Sequence, residues 1–545
     1  MDVLQGLSHA QARLSRITGT PMGESMTTED LVLSVRSQVE ARRAQIYDAM
    51  HHIARLHTTH NSITLVNRLP PELLATIFSY VCSTSDKNAD LICISHVCTH
   101  WRTIALDAGG LWTHIALTHP LGITTFLERS KSLPLSISLT ASHSPFKPVL
   151  NLVSSEITRV RSLKICIPHT VDPGFITRRL KLAAPALEEL SIEDFQLHRK
   201  VERTPPAGTR VPIFDGMPAL RTLSLRNVPL VFLPKGPSAL TKIDLHLKLP
   251  ALPILLDLLE RSPLLESLSL HGTLHGDAVQ SQRLVTLPRL TSFSVHTFPP
   301  QGIASLLSSV ALPPCASIAL HAPLDIVDSF ADIFPELPGP PPALAGLDGV
   351  LRRLELLWSE SDGEELTLRA FRGADDFACA PALQVVASHI SPVPGRRFLC
   401  DWAFDTAHVE TLVLHGNWAP GRGREHHLRE HWPGLLAALP ALKTMRLMSL
   451  GSEALEDLLR CFAIGRVEPC PKLETLEVFD GKPEHVFWAG LTPILNRRRN
   501  KCFRTLELFN SGELPWGEDV TKSLKDSGLE IIHDDDHEQL ATDFA

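Results

Sequence analysis

The chain has 545 residues, of which 44% are hydrophobic and 21% are charged, and its net charge is −8. This mild acidity argues against nucleic acid as the main ligand, because a protein that binds phosphates is expected to carry a basic face. No continuous apolar stretch reaches the roughly 18 residues that a membrane helix needs, so a membrane is not an expected partner. The ten cysteines are scattered without a C-x-x-C pair. This pattern favours reduced thiols and a cytoplasmic or nuclear location.

Residues 1–66 are predicted to form a helical leader. Apolar or long side chains recur every three or four positions from Leu31 to Ile63. That spacing predicts an amphipathic helix with coiled-coil character. Arg42 and His60 interrupt its apolar seam, so we expect the helix to pack against its own chain rather than to form a stable dimer.

Residues 67–118 form the next predicted unit, which begins with NRLPPELLATIFSYV. Pro70 and Pro71 predict a sharp helix start, because the N–H that proline lacks would be unpaired in the first turn anyway. A second amphipathic helix is predicted over residues 90–106, and GGLW follows it at residues 109–112. Helices this short cannot bury so much apolar surface alone. Part of that surface must therefore meet a partner or the rest of the chain.

Residues 119–516 repeat the pattern L-x-x-L-x-L. Twelve copies begin at residues 187, 220, 240, 265, 290, 316, 351, 383, 409, 442, 473 and 503, after degenerate copies at 133–141 and 160–169. Their mean spacing of about 29 residues is typical of leucine-rich repeats. Alternating apolar residues predict a strand in each copy, and segments such as 252–262 predict helices between strands. We therefore predict an α/β solenoid with parallel strands on its concave face and helices on its convex face.

Two further interpretations concern the architecture of the repeats and the segment that follows them. A set of unrelated βα units is the alternative to a solenoid. Residues 517–545 are predicted to be an acidic C-terminal tail that is partly disordered.

The repeats carry a candidate target-binding strip of histidine and serine. Histidine recurs at His246, His271, His296, His321, His389 and His415, and the first four lie in consecutive copies. Parallel strands lie about 4.8 Å apart, so these four rings should form a ladder. The serines of the strip are Ser267, Ser269, Ser292 and Ser294. We expect binding to strengthen as the pH falls from about 7.5 to about 6, because imidazole then becomes cationic. A plain solvated surface is the alternative.

One segment suggests catalysis. HLREH, from His427 to His431, matches the H-x-x-E-H pattern of zinc hydrolases. Such an enzyme also needs a third ligand and a cleft, and this segment lies in a helix-like connection between strands, so we favour a coincidence. Phosphate-binding and nucleophile motifs are not evident. The expectation is therefore a non-enzyme with no catalytic residues, no metal site and no cofactor.

The segments L-P-P-E-L-L-x-x-I-F-x-x-V, V-C-x-x-W-R and L-W, in this order, resemble the F-box. With a preceding helix and following repeats, the chain resembles the large fungal group of F-box proteins with leucine-rich repeats. The resemblance implies a three-helix F-box over residues 67–118 that docks on a Skp-type adaptor and through it on a cullin. The implied adaptor contacts are Leu69, Pro70, Pro71, Leu73, Leu74, Ile77, Phe78, Val97, Cys98 and Trp101.

This resemblance implies a substrate receptor of a ubiquitin ligase, whose repeats hold an unknown target protein near the transferred ubiquitin. Its contribution to the rate would be proximity and not bond chemistry. The turn CSTSDKNAD is longer than the usual link of the family, so packing at that edge is expected to differ. A scaffold protein whose F-box-like helices only cap the repeats is the alternative.

Overall fold

The computed structural model forms two compact units, the first comprising residues 1–116 and 124–133 and the second comprising residues 117–123 and 134–545. The residues that the structure describes are 2–18, 28–82, 87–116, 120–139, 146–168, 171, 175–176, 179–180, 183–194, 216–228, 239–248, 252–273, 283–298, 300–323, 341–359, 365–374, 379–388, 405–416, 427–450, 458, 470–479, 503–509, 522, 525 and 530–534. Within these ranges, no helix combines the length and the apolar character needed to cross a membrane.

The N-terminal part of the chain is helical. Its elements are α1 (Asp2–Thr18), α2 (Thr28–Ile63), α3 (Pro71–Val81), α4 (Lys87–Val97), α5 (Thr99–Asp107), the short strand β1 (His114–Ile115) and α6 (Pro120–Arg129). α3 begins directly after Pro70, as the two prolines predict.

The helix predicted over residues 90–106 is in fact two helices, α4 and α5. Cys98 separates them because its backbone is extended, with φ −156°. Its Sγ accepts a hydrogen bond from the backbone N–H of Trp101 at 3.4 Å. A side-chain acceptor at this position satisfies one of the free N–H groups of the first turn, so Cys98 caps α5.

α2 does not pack as predicted. Leu31 is buried, but Val39, Ile46, Ile53 and Leu56 are all exposed along the helix. The apolar stripe is therefore covered at its N-terminal end, where Leu31 is buried and Val35 is partly buried, and the expected packing is corrected for the part from Val39 to Leu56. The stripe is narrow and interrupted by polar side chains, so the sequence pattern predicts the helix without predicting what covers it.

The second unit contains a large sheet. Its strands are β2 (Leu135–Leu139), β3 (Val160–Ile167), β4 (Glu189–Asp194), β5 (Thr222–Arg226), β6 (Lys242–Lys248), β7 (Ser267–Thr273), β9 (Ser292–Phe298), β11 (Ser317–Pro323), β12 (Arg353–Ser359), β13 (Glu365–Phe371), β14 (Leu383–Ser388), β15 (Thr411–His415), β16 (Thr444–Met448), β17 (Thr475–Phe479), β18 (Thr505–Phe509) and β19 (Glu530–Asp534). A separate pair consists of β8 (Val285–Thr286) and β10 (Val310–Ala311). Among the described residues, the α-helices that follow β2 are α7 (Phe146–Ser155), α8 (Leu252–Glu260), α9 (Pro300–Ser309) and α10 (His427–Ala437).

The strands from β2 to β11 lie side by side in chain order and are parallel, without β8 and β10. One backbone arrangement fixes their spacing. The carbonyl of Thr241 accepts from the N–H groups of Glu266 at 2.8 Å and Ser267 at 3.0 Å, and the carbonyl of Glu266 accepts in the same way from Thr291 and Ser292. Each strand start is therefore tied to the preceding copy of the pattern, and the strands stay in register.

The apolar positions of the repeat form the core, as their alternation predicts. Leu268, Leu270, Phe293 and Val295 are fully buried on one face of β7 and β9. Burying each such side chain contributes about 1.5–3 kcal/mol. The chain is thus a mixed α/β protein with N-terminal helices and a large, mainly parallel sheet.

The strand order changes after β11, and this change corrects the predicted uniform array. The spatial order there is β11, β14, β13, β12, β15, and β13 is antiparallel to both of its neighbours. The connection between β12 and β13 is too short for a parallel crossover, which needs a dozen residues or more. The chain therefore turns back on itself twice before the parallel order resumes at β15.

Two boundaries also differ from the prediction. Leu383 lies opposite Ile318, so the copy assigned to residue 383 is displaced along its strand. The sheet continues beyond residue 516, because β19 pairs in parallel with β18 inside the predicted acidic tail. The segment EIIHD can form this short strand because isoleucine favours strands, although charged residues flank it.

Candidate protein-interaction sites

α3 has one face in the core and one face in solvent. Leu74 and Phe78 are 0% and 1% exposed, whereas Leu73 and Ile77 are 51% and 42% exposed. Residues four apart share a face of a helix, so each pair forms one stripe. Tyr80 and Val81 extend the exposed stripe by one turn. We call Leu73, Ile77, Tyr80 and Val81 the outer strip of α3.

The buried face of α3 packs on α5. The rings of Phe78 and Trp101 have centroids 4.9 Å apart at 50°. Trp101 Nε1 donates to Asn67 Oδ1 at 2.6 Å, and Asn67 Nδ2 donates to the carbonyl of Asn61 at 2.7 Å. The indole thus joins the end of α2 to α3 and α5, which fixes the direction in which the outer strip points.

The end of this helical region is held by three further hydrogen bonds, which involve the side chains of Trp112 and Asn88. Trp112 is buried and its Nε1 donates to the carbonyl of Ala105 at 2.6 Å. Asn88 is also buried, donates to the carbonyl of His114 at 2.8 Å and accepts from the N–H of Ala116 at 2.6 Å. Buried polar groups that are paired in this way hold a single arrangement. The outer strip therefore lies on a rigid base.

The structure divides the ten implied adaptor contacts into three classes. Pro70, Pro71, Leu73, Ile77 and Val97 are exposed, Leu69, Cys98 and Trp101 are partly buried, and Leu74 and Phe78 are buried. The structure corrects the implied adaptor contacts of Leu74 and Phe78, because both side chains fill the core of their own unit. The sequence pattern groups them with Leu73 and Ile77 since all four are apolar.

Several exposed apolar residues were missed by the sequence reasoning. They are Leu65, Val66, Tyr80 and Ile92, whereas Val81 belongs to the motif but not to the implied contacts. Tyr80 and Val81 follow Ile77 at helical spacing, so that signal was present, whereas the exposure of Leu65 and Ile92 depends on tertiary packing. Contiguous exposed apolar residues are typical of protein-interaction surfaces.

On the second unit, the four consecutive histidines lie opposite one another in the sheet. His246, His271, His296 and His321 occupy the same register on β6, β7, β9 and β11. Their ring centroids are separated by 3.9, 4.3 and 3.6 Å in this order, with interplanar angles of 4°, 21° and 12°. We call these four residues the histidine ladder, and its stacked geometry is the one that the repeat predicts.

The other residues of the predicted strip are distributed beside the ladder. Ser267, Ser269, Ser292 and Ser294 lie on β7 and β9. His415 lies on β15, separated from the ladder by the three strands inserted after β11. His389 lies outside the described residues.

Hydrogen bonds tie one end of the ladder to a carboxylate. His246 Nε2 lies 3.0 Å from Asp244 Oδ1, and Ser224 Oγ donates to Asp244 Oδ2 at 3.3 Å. Ser269 Oγ lies 2.8 Å from His271 Nε2. The ladder is thus a polar surface whose ring orientations are set by neighbours.

Three rings of the histidine ladder have lowered pKa values. Burial, and next the charge of His246, lower the pKa of His271. Burial, and next the neighbouring rings, lower the pKa of His296 to about 4. Burial also lowers the pKa of His321. With a pKa of about 4, His296 stays neutral between about pH 7.5 and about pH 6, so this ring does not supply the expected strengthening of binding there.

The candidate metal residues of HLREH lie in α10, and the side chains of His427 and His431 are outside the described part of the structure. A different group does come together. Asp244, His246 and His271 each offer one ligand atom, and these atoms lie within 4.8 Å of one another. The sequence reasoning missed this group because its members come from two strands.

Residues 66–118 match the F-box-like family. No curated protein matches the chain. The matched segment contains α3, α4 and α5, so it includes the outer strip and the core that supports it. An F-box-like domain indicates a role in F-box-type protein interactions, and it is consistent with binding of a Skp-type adaptor.

Proposed function

We propose that this chain is the substrate-recognition subunit of a Skp–cullin–F-box ubiquitin ligase. The F-box-like domain docks on the Skp-type adaptor, and the sheet of the second unit, formed from leucine-rich repeats, binds a target protein. The observation that carries the proposal is the outer strip of α3, an exposed apolar stripe on the first helix of the F-box-like domain.

The energetics of exposure support this docking role. Leu73 and Ile77 leave about half of their surfaces in water, at 51% and 42%. Apolar surface in water is unfavourable by about 25 cal/mol per Å² until it is covered. Two adjacent turns that expose large apolar side chains beside a rigid core match the requirement of a preorganised binding surface.

The second unit supports target recognition. The histidine ladder offers four imidazoles in a row, with Ser267, Ser269, Ser292 and Ser294 beside them. Each neutral imidazole has one hydrogen-bond donor and one acceptor, and each hydroxyl has both. This strip suits a polar segment of a folded or extended target. The chain contributes no bond chemistry, and its location is the cytoplasm or the nucleus.

Affinity purification with mass spectrometry tests the proposal. Three tagged forms are compared: wild type, the variant Leu73→Ala/Ile77→Ala, and the control Ile46→Ala/Met50→Ala. The control removes two exposed apolar side chains with the same spacing on α2.

Wild type and the control should capture the adaptor and the cullin, and the Leu73→Ala/Ile77→Ala variant should lose both. Each truncation at a docking centre costs about 1–3 kcal/mol of binding energy. The pair therefore weakens binding by at least about 30-fold. Target proteins should remain bound to all three forms. Undiminished adaptor capture by the variant contradicts the docking role, and no adaptor capture by wild type favours the capping scaffold.

A further inference from the structure

Two neighbouring strands place a carboxylate and two imidazoles side by side. Asp244 and His246 are two residues apart on β6, so their side chains lie on the same face of the sheet. His271 lies opposite His246 on β7. The three side chains are partly buried, and their ligand atoms lie within 4.8 Å of one another.

The distances suit a small metal ion. Zinc binds imidazole nitrogen and carboxylate oxygen at about 2.0–2.2 Å in a tetrahedron, which places neighbouring ligand atoms about 3.4 Å apart. Asp244 Oδ1 and His246 Nε2 are already 3.0 Å apart. The rings of His246 and His271 are stacked in nearly parallel planes, at 4°, with centroids 3.9 Å apart. The lone pair of an imidazole nitrogen lies in the plane of its ring, so the two rings must tilt towards each other to bind one ion.

We propose that Asp244, His246 and His271 bind one divalent transition-metal ion of the zinc class. Two imidazoles and a carboxylate form a ligand set that zinc prefers and that magnesium does not. Three protein ligands leave one tetrahedral position for water or for an incoming donor.

One polar neighbour of the three ligands fits an outer-shell role. Ser224 Oγ donates to Asp244 Oδ2, the carboxylate oxygen that does not contact His246. Hydrogen bonds of this kind hold ligands in position and raise metal affinity. Arg226 lies opposite His246 on β5 and its charge opposes a cation, whereas the carboxylate of Asp244 favours one. Arg226 is exposed, so solvent weakens its effect.

The site deepens the proposed function, because His246 and His271 belong to the polar strip that we propose for target binding. A carboxylate, imidazole or thiolate of the target would complete the coordination. That role rests on the proposed function, whereas the affinity for the ion does not.

Zinc titration of the full chain tests the site. Metal is first removed with a chelator. Bound zinc is then measured by elemental analysis and by competition with a zinc-binding dye, in wild type, Asp244→Ala and His271→Ala. Two variants serve as matched controls. His321→Ala shortens the ladder without removing a ligand, and His408→Ala removes an exposed histidine whose ring is 4.0 Å from Asp405.

Wild type and both controls should bind one more equivalent of zinc than Asp244→Ala and His271→Ala. The zinc affinity of this site should fall in each ligand variant by more than the roughly 10–100-fold that loss of an outer-shell partner costs. Cobalt should give a tetrahedral absorption spectrum in wild type that the ligand variants lack. Circular dichroism checks folding, and Asp244→Asn replaces Asp244→Ala if the latter unfolds.

Equal zinc stoichiometry and affinity in wild type and both ligand variants overturn the site. Equal losses in His408→Ala and the ligand variants also overturn it, because adventitious surface binding then accounts for the zinc. Capture of the Skp-type adaptor is measured on the same samples. Adaptor binding without zinc binding rejects the site alone, and zinc binding without adaptor binding rejects the proposed function alone.

Discussion

Replacing Arg353 alone should destabilise the sheet more than replacing Arg353 and Glu355 together. These side chains lie on β12, at positions where the repeat predicts exposure, yet they are 0% and 2% exposed. Arg353 Nε is 3.1 Å from Glu355 Oε1, and the guanidinium carbon lies 4.0 Å from the ring centroid of Phe371. Removing the cation alone therefore leaves a buried carboxylate without its closest countercharge.

The expected magnitudes follow from this burial. Removing one member of a buried ion pair costs about 3–5 kcal/mol, whereas apolar side chains of similar volume in place of both members are often neutral. Methionine fills much of the volume of the aliphatic part of arginine, so the energetic cost of the cavity left behind is small. We expect Arg353→Met to cost about 3–5 kcal/mol, and Arg353→Met/Glu355→Leu to cost less than about 2 kcal/mol.

The cost of Arg353→Met should also depend on pH. Burial raises the pKa of Glu355, and the charge of Arg353 acts in the opposite direction. Loss of Arg353 raises this pKa further. A carboxyl whose folded pKa is raised binds more protons in the folded than in the unfolded state, so stability falls as pH rises above the unfolded pKa of about 4.3. The deficit of Arg353→Met should therefore be smaller at about pH 5 than at about pH 7.5.

Urea unfolding followed by circular dichroism measures these differences, with Glu355→Leu completing the double-mutant cycle. The Lys443→Ala variant serves as a control because its ion pair with Glu410 is exposed, and such pairs contribute about 0–1 kcal/mol. An equal cost for Arg353→Met and for the double variant, with no pH dependence, would refute the reasoning.

The remaining predictions concern the two interaction sites. Leu74→Ala should lower the free energy of unfolding by about 2–5 kcal/mol in urea, whereas Leu73→Ala should change it by less than about 0.5 kcal/mol, because only Leu74 is buried. Equal effects would contradict the assignment of the two faces. Replacing His271, His296 and His321 together with alanine should weaken target capture in pull-downs and leave adaptor capture intact. The pKa of His296, which burial and the neighbouring rings lower to about 4, keeps that ring neutral between about pH 7.5 and about pH 6, so His296→Ala should not alter the pH dependence of target capture over this range. A triple variant that retains every wild-type target would show that the ladder is not the binding site.

Local patterns predicted much of this molecule. Pro70 and Pro71 locate the start of α3, and the alternation in SLSLH and SFSVH gives β7 and β9 with their apolar residues inside. The equal spacing of histidines then predicts the ladder, because equivalent positions of parallel strands become neighbours.

Features that depend on long-range packing were not predictable in the same way. An apolar pattern places Leu73 and Leu74 on one helix but does not tell which of them meets the core. The reversal through β13 has no repeat signal, since Glu365–Phe371 pairs as a hairpin strand between two copies of the pattern. The burial of Arg353 likewise depends on that insertion. The register of β6 against β7 brings together Asp244, His246 and His271. Spacing rules for metal ligands do not describe a group that depends on how two strands pair.

The most direct test of the central claim is calorimetric titration of the purified full chain with a purified Skp-type adaptor. A saturable complex of one adaptor per chain is predicted for wild type and for Ile46→Ala/Met50→Ala. Leu73→Ala/Ile77→Ala should bind at least about 30-fold more weakly with an unchanged circular dichroism spectrum. No heat of binding and no complex with folded wild-type chain would contradict the proposal that this protein is the receptor subunit of a Skp–cullin–F-box ligase.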